Sequence, residues 1–103
     1  MIKVAVIGAG TMGNGIAHLF AQYGFTVNMI DLHNSQLEKG LAIISKNLDR
    51  QIQKNLLTSE DKINIINRIQ LVQQLQDGVR DAGLIIEAAT ENENIKLQIF
   101  REL

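Results

Sequence analysis

The 103-residue chain contains no cysteine, which excludes disulfides and thiolate chemistry. With two histidines and no cysteine, no zinc site is expected and no metal ligand is assigned. Proline is absent too, and the sequence offers no functional reason for that. No apolar run approaches the roughly 20 residues of a membrane span. The N-terminus reads as a strand beginning at residue 2 and not as a signal peptide. A cytoplasmic location is the default expectation. Charge of one sign is missing as well. Ten Lys and Arg against eleven Asp and Glu leave a net charge of −1, so no attraction to nucleic acid or to a membrane surface is expected.

What is present is ordinary for a globular domain: 46% apolar and 20% charged residues, with no internal repeat and no low-complexity linker. The length suits one domain with a core, below the usual size of a whole dinucleotide-dependent enzyme.

The informative stretch runs from Met1 to Asp31. Lys3-Val4-Ala5-Val6-Ile7 is rich in β-branched residues and bounded by glycine, which predicts a buried parallel strand. Gly8-Ala9-Gly10-Thr11-Met12-Gly13 follows and fits G-x-G-x-x-G. Ile16, Ala17, Phe20 and Ala21 then share one face of a helix, with Asn14, His18 and Gln22 on the other. Gly24 suits the position just past the helix end. Thr26–Ile30 predicts a second strand, with Asp31 at its end.

That arrangement is a phosphate site at a helix N-terminus. Gly8 permits the tight turn, Gly10 lets a diphosphate approach the backbone, and Gly13 lets the helix lie close on the sheet. The unpaired N–H groups and the positive end of the helix dipole face the anion. Asp31 lies eighteen residues beyond Gly13, near the roughly 20 expected of an acid that accepts hydrogen bonds from the adenosine ribose. Its charge repels a 2′-phosphate, and neither Leu32 nor His33 supplies a compensating cation. NAD is therefore expected over NADP. The alternative, a glycine-rich turn in some other α/β protein, leaves Gly10, Gly13 and Asp31 as coincidences.

Ser35 and Glu38 suggest a capping box for a helix over residues 35–54, whose buried side is Leu37, Leu41, Ile44, Leu48 and Ile52. Lys39, Lys46, Arg50 and Lys54 fall in one sector of its other face. They form either a basic rail for a phosphorylated handle or a solvated face with Asp49 as a neighbouring counter-charge. Thr58 with Asp61 caps a second helix, ending near Arg68, with Ile63, Ile66 and Ile65 as its buried side. Ile69–Val72 predicts strand 3, residues 77–83 a short helical turn, and residues 84–88 strand 4. Glu87 near the carboxyl end of strand 4 is expected to accept backbone N–H groups from an adjoining loop. A loop over residues 89–92 and a last helix buried along Ile95, Ile99 and Leu103 complete the reading. His18 is read as a surface histidine away from the cofactor edge, and His33, in the loop after Asp31, as a solvated loop histidine with approach to the adenine as the alternative.

The alternation predicts an α/β fold: a Rossmann-type, doubly wound parallel sheet in strand order 3-2-1-4 with a two-helix insertion after strand 2. The cofactor crosses the carboxyl ends of strands 1, 2 and 4.

The run Val4 to Ala17, continued by Ser45 to Arg50 and Ile86 to Asn92, resembles the N-terminus of the 3-hydroxyacyl-CoA dehydrogenases, above all the bacterial 3-hydroxybutyryl-CoA type. The resemblance covers the whole chain, two-helix insertion included. It implies NAD-dependent interconversion of a (3S)-3-hydroxyacyl-CoA and the 3-oxoacyl-CoA, in fatty acid metabolism. It places Gly8, Ala9, Gly10, Thr11, Met12 and Gly13 on the diphosphate and Asp31 on the ribose. Ala89, Glu91 and Lys96 fall on the nicotinamide side. Lys54 matches a lysine on the CoA phosphates, and Asn47 stands where a serine is common, an amide that can still hydrogen-bond.

The family's catalytic histidine and its glutamate partner match nothing in these residues, so no catalytic residue is assigned. The chain is expected to be the N-terminal part, residues 1–103, of an NAD-binding domain, without the helical substrate and dimerisation domain and inactive alone. Two other readings are a fragment of another β-hydroxyacid-type dehydrogenase and a stand-alone NAD-binding module. The long basic helix and Glu91-Asn92 favour the first reading, while a module requires a self-capped domain. An open edge on strand 4 would favour self-association into a homo-oligomer.

Overall fold

The computed structural model describes residues 2–88 and 96–99. Strand β1 (Lys3–Ile7) leads through the glycine loop into helix α1 (Thr11–Gln22), and β2 (Thr26–Ile30) follows. Helices α2 (Asn34–Gln53) and α3 (Ser59–Asn67) intervene before β3 (Ile69–Val72). The short helix α4 (Leu75–Val79), β4 (Ala82–Glu87) and β5 (Lys96–Ile99) complete the described elements. The sheet order is β3-β2-β1-β4-β5. The first four strands run parallel in the expected order 3-2-1-4, and the α2–α3 insertion lies between β2 and β3 as expected.

Period-two patterning sorts the strands between two faces. Val4, Val6, Val27, Met29, Ile69 and Ile86 join Ala17, Ala21, Leu37, Ile44, Leu48 and Ile65 in the larger core. The opposite face carries Ala5, Ile30, Ala82 and Ile85, with Val72 and Val79 against them. Asn28 is buried on β2 and donates from Nδ2 to the Gly78 carbonyl at 2.9 Å, which pins α4 to the sheet. Its Oδ1 has no partner among the described residues.

The ends of α1 and α2 and the start of α3 have local causes. Gly24 takes φ 99° after α1, and the Arg68 guanidinium donates to the Ala21 carbonyl at 2.8 Å, where the last carbonyls lack helical partners. Asn55, one residue past the C-cap Lys54, adopts φ 60° and stops α2 at Gln53. At the start of α3, Asp61 N–H donates to Thr58 Oγ1 and Thr58 N–H donates to Asp61 Oδ2, both at 3.0 Å, so the expected capping box forms.

Several expectations are corrected. The Ser35–Glu38 box does not form: α2 starts one residue earlier, His33 is its cap position without a side-chain hydrogen bond, and Asn34 Nδ2 bonds Glu38 Oε1 instead. Asp49 pairs with Lys62 at 2.7 Å and not with the cations of its own helix. In α3 Ile65 is buried and Ile66 packs half-buried against the core as expected, while Ile63 stays 60% exposed along an open groove between α2 and α3. The helical turn before β4 sits at Leu75–Val79, and β4 itself begins at Ala82, where Asp81 turns the chain at φ 57°.

The largest correction concerns the last helix. Lys96–Ile99 is a strand, antiparallel to β4, with Leu84 opposite Ile99 and Glu87 opposite Lys96. Lys-Leu-Gln-Ile alternates polar and apolar residues at period two, and the edge of β4 offers backbone groups for pairing. The edge on which self-association was expected is therefore occupied by the chain's own β5. Ile95 and Leu103 of the expected helix lie outside the described residues.

These packing differences predict opposite outcomes for two apolar truncations. Leu48→Ala, at a fully buried site, is expected to cost about 2–5 kcal/mol. Ile63→Ala is expected to stay within about 0.5 kcal/mol. Urea unfolding followed by circular dichroism measures both, and equal losses would contradict the assignment of Ile63 to an open groove.

Candidate dinucleotide-binding site

The site begins where β1 hands the chain to α1. Gly8 takes φ 104°, a left-handed conformation that glycine adopts without strain, and its N–H donates to the Ile30 carbonyl at 2.6 Å. A Cβ on Gly13 would collide with the Gly8 carbonyl oxygen, so α1 packs against the loop only with glycine there. At Gly10 a Cβ would meet nothing within 4 Å; it would stand in the open space before the helix end. Gly8 thus turns the chain and Gly13 closes the packing, as their spacing predicts, while the space in front of Gly10 is open.

Two further contacts shape the loop. Asn14 is buried in α1, and both its backbone N–H and its Nδ2 donate to the Gly10 carbonyl at 2.9 Å. That holds the Gly10 carbonyl on the helix side and away from the open front. Gly40 of α2 lies beneath the loop, where a Cβ would come within 2.9 Å of the Ala9 carbonyl oxygen and 3.3 Å of Met29 Cε. Asn14 was read from sequence only as one of a polar face, and Gly40 went unnoticed. The signal for Gly40 was a glycine inside an otherwise strong helix, which marks a close backbone approach.

The starts of α1 and α3 contrast. α3 carries its own box and two acids, Glu60 and Asp61, in its first turn. Bonds from the Thr58 backbone N–H and then its hydroxyl hold the Asp61 carboxyl below its ordinary range. α1 has neither: Gly10 at its cap position supplies no side chain, and no acid stands in the first turn. The first N–H groups of a helix have no partner within it. At α1 they, and the positive dipole end, stay available to an external anion.

Asp31 stands at the end of β2 as expected, half-buried beside the loop. Its Oδ2 accepts the Ala9 N–H at 3.1 Å and its Oδ1 accepts the His33 N–H at 3.0 Å. A cavity of about 260 Å³ opens next to it, lined by residues that include Ile7, Gly8, Ile30, Leu32 and Leu75. Leu32 is 78% and Leu75 48% exposed, so two unshielded apolar side chains wall a pocket beside an acid, a combination suited to a flat base next to its ribose. Gln73 lines it too and reaches the Leu32 carbonyl at 3.4 Å. Leu32, Gln73 and Leu75 were missed from sequence because they meet only once β3 pairs with β2.

A dinucleotide fits these features: an uncapped helix end for the diphosphate, a carboxylate for the ribose, and an apolar slot for the base. His18 is remote from this pocket's lining; its Nε2 bonds Gln22 Oε1 at 2.8 Å, and Gln22 Nε2 donates to Gln51 Oε1 at 2.8 Å, tying α1 to α2. His33 is exposed, as a solvated loop histidine is, and also lines the pocket, where the alternative reading put it. Glu87 sits half-buried at the carboxyl end of β4 beside Ile7. The loop expected to satisfy it, with Ala89 and Glu91, lies outside the described residues. Lys96 falls on β5 opposite Glu87 and not on a helix.

The residues read as a CoA handle are elsewhere. Asn47 is half-buried on α2, and Lys54 is exposed at the C-terminal cap of that helix. Twenty residues at about 1.5 Å per residue put the two ends of α2 roughly 30 Å apart, with the glycine loop near one end and Lys54 at the other.

Comparison with known proteins bears on this geometry. Residues 3–103 match the family described as 3-hydroxyacyl-CoA dehydrogenase, NAD binding domain. A 3-hydroxybutyryl-CoA dehydrogenase of Bradyrhizobium diazoefficiens is 46% identical over 101 residues, covering 98% of this chain and 34% of the relative. One of Clostridioides difficile is 36% identical over 102 residues, covering 99% and 36%. The crystal structure of the (S)-3-hydroxybutyryl-CoA dehydrogenase of Ralstonia eutropha superposes with a TM-score of 0.84 at 42% identity, covering 89% of this chain and 32% of that one. The chain spans about a third of the length of these relatives.

The loop packing predicts that the two close-approach glycines respond differently to alanine. Gly13→Ala is expected to destabilise the fold by about 1–3 kcal/mol through overpacking against Gly8. Gly40→Ala gains about 0.8–1.0 kcal/mol of helix propensity, which offsets its strain, but displaces the Ala9 carbonyl and weakens nucleotide binding. Thermal unfolding and calorimetric titration with NAD check both, and full NAD affinity in Gly40→Ala would contradict the second expectation.

Proposed function

The chain belongs to the NAD-binding domain family of the 3-hydroxyacyl-CoA dehydrogenases, and on that premise we propose that it is the cofactor-binding part of an enzyme that interconverts (3S)-3-hydroxyacyl-CoA and 3-oxoacyl-CoA. The printed names of the relatives favour 3-hydroxybutyryl-CoA as the substrate. The observation that carries the reading is the uncapped N-terminus of α1, with Gly13 packed on Gly8 and Asp31 beside the loop.

NAD, when bound, supplies the nicotinamide that accepts hydride from carbon 3 of the substrate. The chain's own residues bind and orient it. The loop of Gly8, Ala9, Gly10, Thr11, Met12 and Gly13 holds the diphosphate, with the N–H groups of Thr11, Met12 and Gly13 at the helix start facing it while those of Gly8 and Ala9 are engaged by Ile30 and Asp31. Asp31 accepts the ribose hydroxyls and disfavours a 2′-phosphate. Leu32 and Leu75 flank the base. By resemblance, Ala89, Glu91 and Lys96 serve the nicotinamide side. Lys54 and Asn47 serve the CoA phosphates, supported by the exposed cations Lys39, Lys46 and Arg50 on the same helix. The proton-accepting group belongs to the longer enzyme, and the chain alone is inactive. The same reading carries a homo-oligomeric whole enzyme acting in the cytoplasm.

The test is a thermal shift with NAD and with NADP. NAD at about 100 times its dissociation constant is expected to stabilise the chain by roughly 2.7 kcal/mol. For a domain of this size that is about ten degrees or more. NADP at the same concentration is expected to give a much smaller shift. Equal shifts with both nucleotides would contradict the role of Asp31, and no shift with either would contradict the cofactor reading itself.

A further inference from the structure

Asp31 does more in this fold than wait for a ribose. Its two oxygens each accept a backbone N–H, from Ala9 in the glycine loop and from His33 at the start of α2. Ala9 and Asp31 are 22 residues apart in the chain, so this one side chain joins the β1–α1 loop to the β2–α2 turn. The loop has few other anchors. Gly8 N–H is held by Ile30, the Gly10 carbonyl by Asn14, and the Ala9 carbonyl rests over Gly40. Among the described residues, the Ala9 N–H has Asp31 as its acceptor.

An ionised carboxylate offers about four lone-pair sites. Two are taken by amides, which leaves two for a diol. The carboxylate can therefore hold the loop and accept ribose hydroxyls together, without exchanging one for the other. Ala9 directly precedes Gly10, the cap position of α1. Holding its N–H toward β2 fixes the Gly8–Ala9 peptide plane, two residues before the first helical N–H at Thr11, and so limits how far the loop can move from the helix start.

We propose that Asp31 is a positioning residue for the diphosphate-binding loop, acting through the Ala9 N–H, in addition to its contact with the ribose. The proposal rests on the NAD reading for its ligand and goes beyond it in the part it assigns to Asp31. It separates two effects that a single substitution merges. Loss of the diol contact weakens only nucleotides that carry the diol. Loss of the loop tie weakens any nucleotide with a diphosphate.

The experiment is a binding cycle by calorimetric titration, with ADP and 2′,3′-dideoxy-ADP against the unmodified chain, Asp31→Ala and Asp31→Asn. In the unmodified chain, ADP is expected to bind about tenfold or more tightly than the dideoxy nucleotide, as suits hydrogen bonds to a charged group. In Asp31→Ala that preference is lost, and dideoxy-ADP itself binds about tenfold more weakly than to the unmodified chain. Amide exchange without nucleotide provides a second reading: Ala9 N–H exchanges faster in Asp31→Ala and is rescued in Asp31→Asn, whose Oδ1 still accepts it, while Val6 and Leu48 stay protected and report an intact fold. Unchanged dideoxy-ADP affinity or unchanged Ala9 exchange in Asp31→Ala overturns the positioning role while leaving the NAD reading in place. Failure of the unmodified chain to bind either nucleotide overturns both.

Discussion

A single close approach governs this domain: the backbone of α1 at Gly13 against the carbonyl of Gly8. With no Cβ between them, the helix starts almost on top of the strand that precedes it. Its first turn then lies at the carboxyl ends of β1 and β2, beside Asp31. Any side chain at Gly13 would push the helix outward and carry its free N–H groups away from that carboxylate. The positive φ of Gly8, the buried amide of Asn14 and the bare flank of α2 at Gly40 all accommodate that approach.

The same economy of side chains separates a helix end that closes itself from one that stays open. Thr58 and Asp61 satisfy the N–H groups of α3 within the chain, and the resulting bonds lower the Asp61 pKa. At α1 the cap residue is glycine and the first turn has no acid, so the helix dipole faces outward unanswered. Asp31 brings negative charge near but keeps it on the ribose side, where it meets Ala9 and His33. In the proposed reading an anion lies at the α1 start and a neutral diol at Asp31. The match of residues 3–103 to the NAD-binding domain family agrees with that proposed arrangement.

Local pattern carried much of this from the sequence. The strand order followed from alternating elements, and Gly8, Gly10, Gly13 and Asp31 were identifiable because their roles depend on backbone geometry within one β-α-β unit. The Thr58 box was legible for the same reason. What escaped depends on contacts between distant segments. Leu32 and Leu75 form a slot only after β3 settles beside β2, and Gly40 matters only because α2 crosses under the loop. Ile63 fits the helical period of a core position, yet the nine-residue α3 buries a narrower stripe than its pattern suggested. Lys96–Ile99 fits both a helix face and a strand alternation, and pairing with β4 decides for the strand.

The central claim is that the open start of α1 receives the diphosphate of NAD. Nuclear magnetic resonance of the isotope-labelled chain titrated with NAD tests it most directly. The account predicts that the amides of Thr11, Met12 and Gly13 shift together with those of Leu32 and Leu75, while Ser59, Glu60 and Asp61 at the self-capped α3 stay in place. Shifts confined to the groove between α2 and α3, or equal shifts at both helix starts, would contradict it.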